Sequence, residues 1–153
     1  MCDLIVWNDS FSVNFGPIDE QHKGLVVMTN ELLMACGEGG STTDHAFMKA
    51  VRGAVEYART HFYTEEKYMK EVNYPDLPAH KKEHENFIAQ VLNSIKSFEA
   101  GGTEPLALAC FLKNWILNHI AVSDMKYAPY LSGIGAGAEK KGAQGGADLF
   151  AFE

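Results

Sequence analysis

Apolar positions recur along most of the chain at three- and four-residue intervals, the period of an amphipathic α-helix. Four such stretches stand out. The first, 18–36, carries Ile18, His22, Leu25, Met28 or Thr29, and Leu32 on one stripe, and the glycine-rich run 37–40 stops it. The second, 44–72, carries Phe47, Val51, Ala54, Ala58, His61, Glu65 and Tyr68 or Met69, with Ser41, Thr42, Thr43 and Asp44 as cap candidates. It ends before Pro75, whose ring disfavours helix at Tyr74. The third, 77–100, aligns His80, His84, Phe87, Val91, Ile95 and Phe98, with Asp76 at the cap position and Pro78 in the first turn. The fourth, 104–127, aligns Leu108, Phe111 or Leu112, Trp115, His119 and Val122 behind a cap at Thr103, and Pro129 cannot continue it. Four helices joined by short loops predict an all-α fold, an up-down-up-down antiparallel four-helix bundle.

The ends of the chain read differently. In 1–16, a short apolar run ending at Trp7 meets a turn signal at Asn8, Asp9 and Ser10, and Phe11, Val13 and Phe15 then alternate with polar residues. Nothing elsewhere supplies strands for a sheet, so this stretch predicts an extended arm that lays Trp7 and Phe11 on the bundle. Six glycines between 133 and 146 predict a flexible tail over 132–153. The expected organisation is one domain over 1–131, arm included, followed by that tail.

Composition narrows the setting. Thirteen basic against twenty acidic residues give a net charge of −7, which argues against nucleic acid or anionic membrane as a main partner. No apolar run approaches the roughly 18 residues that span a bilayer, so membrane insertion is not expected. The N-terminus lacks the basic start and long apolar core of a signal peptide. Cys2, Cys36 and Cys110 are scattered and form no CxxC pair, which disfavours a thiolate zinc site. Cys36 and Cys110 read as core thiols, and a reducing cytoplasm is the expected location.

The helical stripes turn polar where a core should be apolar. One histidine on such a face is ordinary; His45, beside a helix start with no partner at helical spacing, reads as surface. His61-x3-Glu65 and His80-x3-His84 differ, because a four-residue spacing stacks both side chains on one helix face. Buried unpaired, such groups cost several kcal/mol each. Adding His22, His119 and Asp124 gives every helix a share, and a common metal is the partner that would satisfy them all. Imidazoles with carboxylates and no thiolate suit iron, manganese or zinc. Five imidazoles, two bridging carboxylates and one shared oxygen would fill all but one position around two six-coordinate ions. The open position would suit a diatomic ligand. One strain remains: His119 and Asp124 are five apart, about 140° around an ideal α-helix. Both can face the centre only if they straddle two ions or the helix widens locally, as at a π-bulge.

The order His22, His61-x3-Glu65, His80-x3-His84, His119-x4-Asp124 resembles the hemerythrin family, and within it the bacteriohemerythrins. Ile18-Asp-Glu-Gln-His22-Lys, Tyr74-Pro75 and Trp115-Ile-Leu-Asn-His119-Ile120 agree with it, and the resemblance covers about 4–131. It implies two non-heme iron ions joined by an oxo or hydroxo bridge. His80, His84 and His119 would bind one, His22 and His61 the other, and Glu65 and Asp124 would bridge them. It further implies reversible O₂ binding at the two-histidine ion, with NO, azide and other small anions as further ligands. Ile18, Leu25, Phe62, Trp115 and Ile120 are candidates for an apolar wall around the bound O₂.

Three roles compete. An oxygen carrier, store or delivery protein binds without turnover and is the expected role, with a redox partner or an O₂-using enzyme as recipient. An O₂ or redox sensor would use the same site to signal to a partner, but a chain starting at Met1 with no appended signalling domain favours the first. A diiron oxidase, peroxidase or NO-handling enzyme is the third; no Glu-x-x-His of the ferritin-like oxidases occurs.

Overall fold

The computed structural model describes residues 3–102 and 105–133, and these form a bundle of helices with no strand among them. The elements are α1 (Gly16–Cys36), α2 (Gly40–Glu71), α3 (Leu77–Glu99) and α4 (Pro105–Trp115). A π-helical segment (Ile116–Ser123) extends α4 without a break into a short α5 (Asp124–Tyr127), and a 3₁₀ turn follows over Ala128–Gly133. α1 packs on α2 and α4, and α2 packs on α3. The expected cap at Thr103, Cys2 and most of the glycine-rich tail lie outside the described residues.

The starts of the helices depart from expectation in two places. α2 begins at Gly40, earlier than 44, because Gly39 and Gly40 take left-handed φ values of 75° and 64° that turn the chain sharply after α1. Thr43 therefore lies inside α2, and its hydroxyl donates to the Ala35 carbonyl at 2.7 Å, closing the end of α1 instead of the start of α2. Asp76 does occupy the N-cap of α3, but its side chain makes no capping bond there. Cys36 and Cys110 are only half-buried.

The arm is extended apart from one 3₁₀ turn at Asp9–Phe11. Asn30 on α1 holds it as a second strand would: its side chain accepts from Ile5 N and donates to Ile5 O, both at 2.8 Å. Asp19 holds the next part, accepting from Val13 N at 2.8 Å and Ser12 Oγ at 2.6 Å. Phe11 is buried, and Trp7 packs on it with ring centroids 5.5 Å apart.

Two apolar clusters fill the interior. The larger includes Leu25, Leu32, Phe47, Val51, Phe87, Leu108 and Leu112. The smaller joins Val13 and Phe15 of the arm to Ile18, Met69, Tyr74, Tyr127 and Leu131. On every helix the buried ionisable residues fall between members of the two clusters. His22 lies between Ile18 and Leu25, Glu65 between Phe62 and Met69, and His84 between Leu77 and Phe87. The polar layer is thus sealed above and below by hydrocarbon.

Within the continuous helix 105–131, one 18-residue stretch has a mean hydropathy of 1.3, enough by length and composition alone to cross a membrane. That stretch is not an uninterrupted apolar run, since Lys113, Asn114, Asn118 and His119 divide it. Here its buried face is a core face of the bundle and carries His119 and Asp124.

Candidate metal centre

Seven ionisable side chains from all parts of the bundle converge in the polar layer. His22, His61, Glu65 and Asp124 are fully shielded from solvent, while His80, His84 and His119 are 2–3% exposed. Their ligand-type atoms form two groups: Glu65 with His80, His84 and His119, and Glu65 with His22, His61 and Asp124.

The carboxylates connect the groups. Glu65 turns Oε1 toward His61 Nε2 (3.1 Å) and His22 Nε2 (3.4 Å), and Oε2 toward His84 Nε2 (3.0 Å) and His80 Nε2 (3.5 Å). Asp124 turns Oδ2 toward His22 Nε2 (3.0 Å), and Oδ1 toward His80 and His119 Nε2 (3.0 Å each). Each carboxylate therefore turns one oxygen toward the His22 and His61 side and the other toward the side of His80, His84 and His119.

Asp124 reaches the centre because the helix widens. From Ile116 to Ser123 the backbone is π-helical, and the Asp124 N–H bonds to the carbonyl of His119, five residues back. The looser winding brings residues five apart onto one face. It also corrects one expectation: Val122, placed on the inner stripe by α-helical counting, is rotated outward and 50% exposed, while Ser123 and Asp124 turn inward.

Several buried polar atoms have no hydrogen-bond partner: Nε2 of His80, His84 and His119, Oε2 of Glu65, and both Asp124 oxygens. Unsatisfied buried polar atoms are uncommon in native proteins and need an explanation. Neighbouring ligands about 2.1 Å from a shared cation at right angles lie about 3 Å apart, which is the spacing here. The donor set fits a pair of cations.

The outer edges of the imidazoles are supported unequally. His61 Nδ1 meets the Gln21 amide oxygen. His84 Nδ1 meets Glu66 Oε2 at 2.9 Å, and His119 Nδ1 lies 3.6 Å from Glu83 Oε2. Ser123 Oγ donates to the other Glu83 oxygen at 2.9 Å. The Tyr127 hydroxyl donates to Glu65 Oε1 at 2.6 Å. Gln21, Glu66, Glu83, Ser123 and Tyr127 escaped the sequence reading. The first three are chain neighbours of His22, Glu65 and His84, which is a usable signal; Ser123 and Tyr127 become visible only once the π-helical register is known.

Aromatic rings cover the imidazole faces. Phe62 lies flat on His84 and Trp115 on His119, each with centroids 3.8 Å apart. Tyr57, also missed, stacks on His61 at 4.6 Å and accepts from Trp115 Nε1 at 3.4 Å. Of the five wall candidates, Leu25, Phe62, Trp115 and Ile120 share one cluster, and Ile18 packs in the other.

Without a cation the layer is a proton store. Burial alone would lower the pKa of each imidazole. For His22 the carboxylates of Asp124 and Glu65 outweigh burial and hold it at about 9, and they hold His80 at about 10. Asp124 and Glu83 together hold His119 at about 9. Burial and the neighbouring His22 take His61 down to about 4, against the pull of Glu65. Asp124 and Glu65 stay ionised despite burial because cationic imidazoles face them, and Glu83 is lowered first by its contact with His119. These signs yield a prediction. At pH 7 the metal-free chain carries protons on His22, His80 and His119, and cations must displace them. Filling the site should release about three protons per chain near pH 7, falling toward none above about pH 10, as read by an indicator dye in weak buffer. By the same signs these raised histidines stabilise the metal-free fold fully below about pH 6.5, and that support is lost as pH rises through 9 to 10.

A helical bundle that buries imidazoles from every helix around two shared carboxylates is a metal-binding bundle with a dinuclear ligand layout. The chain belongs to the hemerythrin family: its residues 16–131 match the Hemerythrin HHE cation binding domain. It is similar to the bacteriohemerythrin of Stenotrophomonas maltophilia (strain R551-3), at 35% identity covering 82% of this chain and 80% of that one. It is also similar to the myohemerythrin of Riftia pachyptila, at 35% identity covering 80% and 89%. The crystal structure of wild-type hemerythrin superposes with a TM-score of 0.73 at 32% identity, covering 85% of this chain and 99% of that one.

Proposed function

We propose that this chain binds O₂ reversibly at a pair of non-heme iron ions and serves as an oxygen carrier, store or delivery protein. The observation that carries this reading is the division of both carboxylates between two histidine sets, since a single ion would leave half of those oxygens unused. His80, His84 and His119 would hold one ion, His22 and His61 the other, and Glu65 and Asp124 both. Iron held there would supply the electrons for reversible O₂ capture. The half with two imidazoles has one donor fewer, and this is where a small ligand such as O₂, NO or azide fits.

The chain's own residues set the conditions. Gln21, Glu66 and Glu83 fix the imidazole edges, which holds the ring orientation and tautomer. Tyr127 fixes Glu65. Phe62 and Trp115 cover imidazole faces, and Leu25 and Ile120 belong to the same apolar cluster; together they would keep bulk water and its protons from the layer, which favours release of O₂ unchanged over irreversible oxidation. Ile18 closes the layer on the opposite side, toward the arm.

The test is a spectrum. Reduced, iron-loaded protein exposed to O₂ should develop a visible charge-transfer band that bleaches when O₂ is swept out and returns on readmission. Continuous O₂ consumption with a reductant, and no reversible band, would contradict the carrier reading.

A further inference from the structure

The layer is closed almost everywhere, so a cation needs a way in. The faces of His61, His84 and His119 are covered by Tyr57, Phe62 and Trp115. A hydrated divalent ion does not cross such a wall, because shedding its water there meets no compensating ligand. Across the bundle, Ile18, Met69 and Tyr127 are equally apolar or buried. The three-histidine half is different. Its imidazoles are the members of the layer that reach solvent at all, and the outer edges of His84 and His119 meet carboxylates that stand partly in water.

Of those two carboxylates, Glu66 is engaged. It is 27% exposed, bonded to His84 Nδ1 at 2.9 Å and faced by Lys81 Nζ at 3.7 Å. Glu83 is more open at 44% exposure, and no lysine or arginine pairs with it among the described residues. Ser123 Oγ anchors one of its oxygens at 2.9 Å, leaving the other to face His119. That histidine is 3% exposed; its Nε2 faces Asp124 Oδ1 at 3.0 Å inside the layer, and its Nδ1 stands 3.6 Å from the other Glu83 oxygen. His119 is thus the first imidazole of the layer behind an anchored surface carboxylate.

Resting on the two-ion reading above, we propose that Glu83 is the entry site for the metal: it takes a hydrated divalent cation from solvent and passes it to His119 and the three-histidine half. Ser123 keeps the carboxylate at the mouth, and its place in the π-helical segment ties the mouth to the same backbone widening that turns Asp124 inward. Nothing is oxidised in this step; water ligands leave as Glu83 and then imidazole nitrogens replace them.

The test follows cobalt(II) uptake by metal-free full-length chain in a stopped-flow instrument, read by quenching of tryptophan fluorescence, since Trp115 lies on His119. Glu83→Gln should slow uptake about tenfold, weaken its dependence on ionic strength, and still reach two ions per chain. Removal of cobalt by a chelator should slow as well, because entry and exit share one path. Glu85→Gln, an equal change of charge at an exposed α3 residue paired with Lys82, should leave the rate unchanged. Three results would overturn the proposal: equal slowing by both variants, unchanged uptake in Glu83→Gln, or unchanged uptake with faster release, which marks Glu83 as only a support for His119. Cobalt stoichiometry of the wild-type chain reports separately on the two-ion reading, and a wild-type chain that binds none overturns both.

Discussion

Replacing Glu65 with alanine should reduce bound iron from two ions per chain to one or none. Glu65 is the one side chain shared by both groups of ligand-type atoms. Its Oε1 serves His22 and His61, and its Oε2 serves His80 and His84. Alanine removes a donor from each half and one link between them, and it strips the Tyr127 hydroxyl of its acceptor. A buried donor left unpaired costs about 1–3 kcal/mol by itself. Iron analysis of the purified variant after anaerobic reconstitution checks the stoichiometry, and unchanged loading would count against Glu65 as a bridge. Glu65→Gln makes a useful companion, since it keeps an acceptor for Tyr127 while removing the charge.

Stripping the metal from the wild-type chain should lower its melting temperature by about 6–20 °C. The metal-free layer holds buried imidazoles of mixed protonation against two carboxylates, with several polar atoms unpaired. Breaking up a satisfied buried charge network costs about 3–5 kcal/mol, and in a domain of this size each kcal/mol moves the melting temperature by about 2–4 °C. A ligand that binds only the folded state adds its binding free energy to stability. Calorimetry of metal-loaded and chelator-treated protein at pH 7 reads the difference. Equal melting temperatures would mean that the polar layer is satisfied without a cation.

The bundle was legible in the sequence because the helical stripes are long and their stops are strong. Gly37 to Gly40, Pro75 and Gly101-Gly102 punctuate four segments whose faces, from Leu25 and Leu32 to Phe87 and Val91, pack as their spacing predicts. The convergence of the seven ionisable residues was legible for a related reason. Charged groups on an apolar stripe are too costly to bury alone, so their shared location follows from energetics as well as from spacing.

What escaped notice depends on geometry that spacing does not carry. The π-helical segment was one of two ways to reconcile His119 with Asp124, and only the backbone shows which holds. Val122 was misplaced for that reason. The start of α2 was missed because a pair of left-handed glycines outranked four good cap residues. Tyr57 and Tyr127 were missed because an aromatic on a core stripe reads as hydrocarbon until its hydroxyl is seen to point at a carboxylate or an indole.

Anomalous diffraction from an iron-loaded crystal, recorded on both sides of the iron absorption edge, tests the dinuclear layout most directly. Two peaks are predicted within the polar layer, one beside His22 and His61 and one beside His80, His84 and His119, both in contact with Glu65 and Asp124. A single peak, or iron bound elsewhere on the chain, would contradict it.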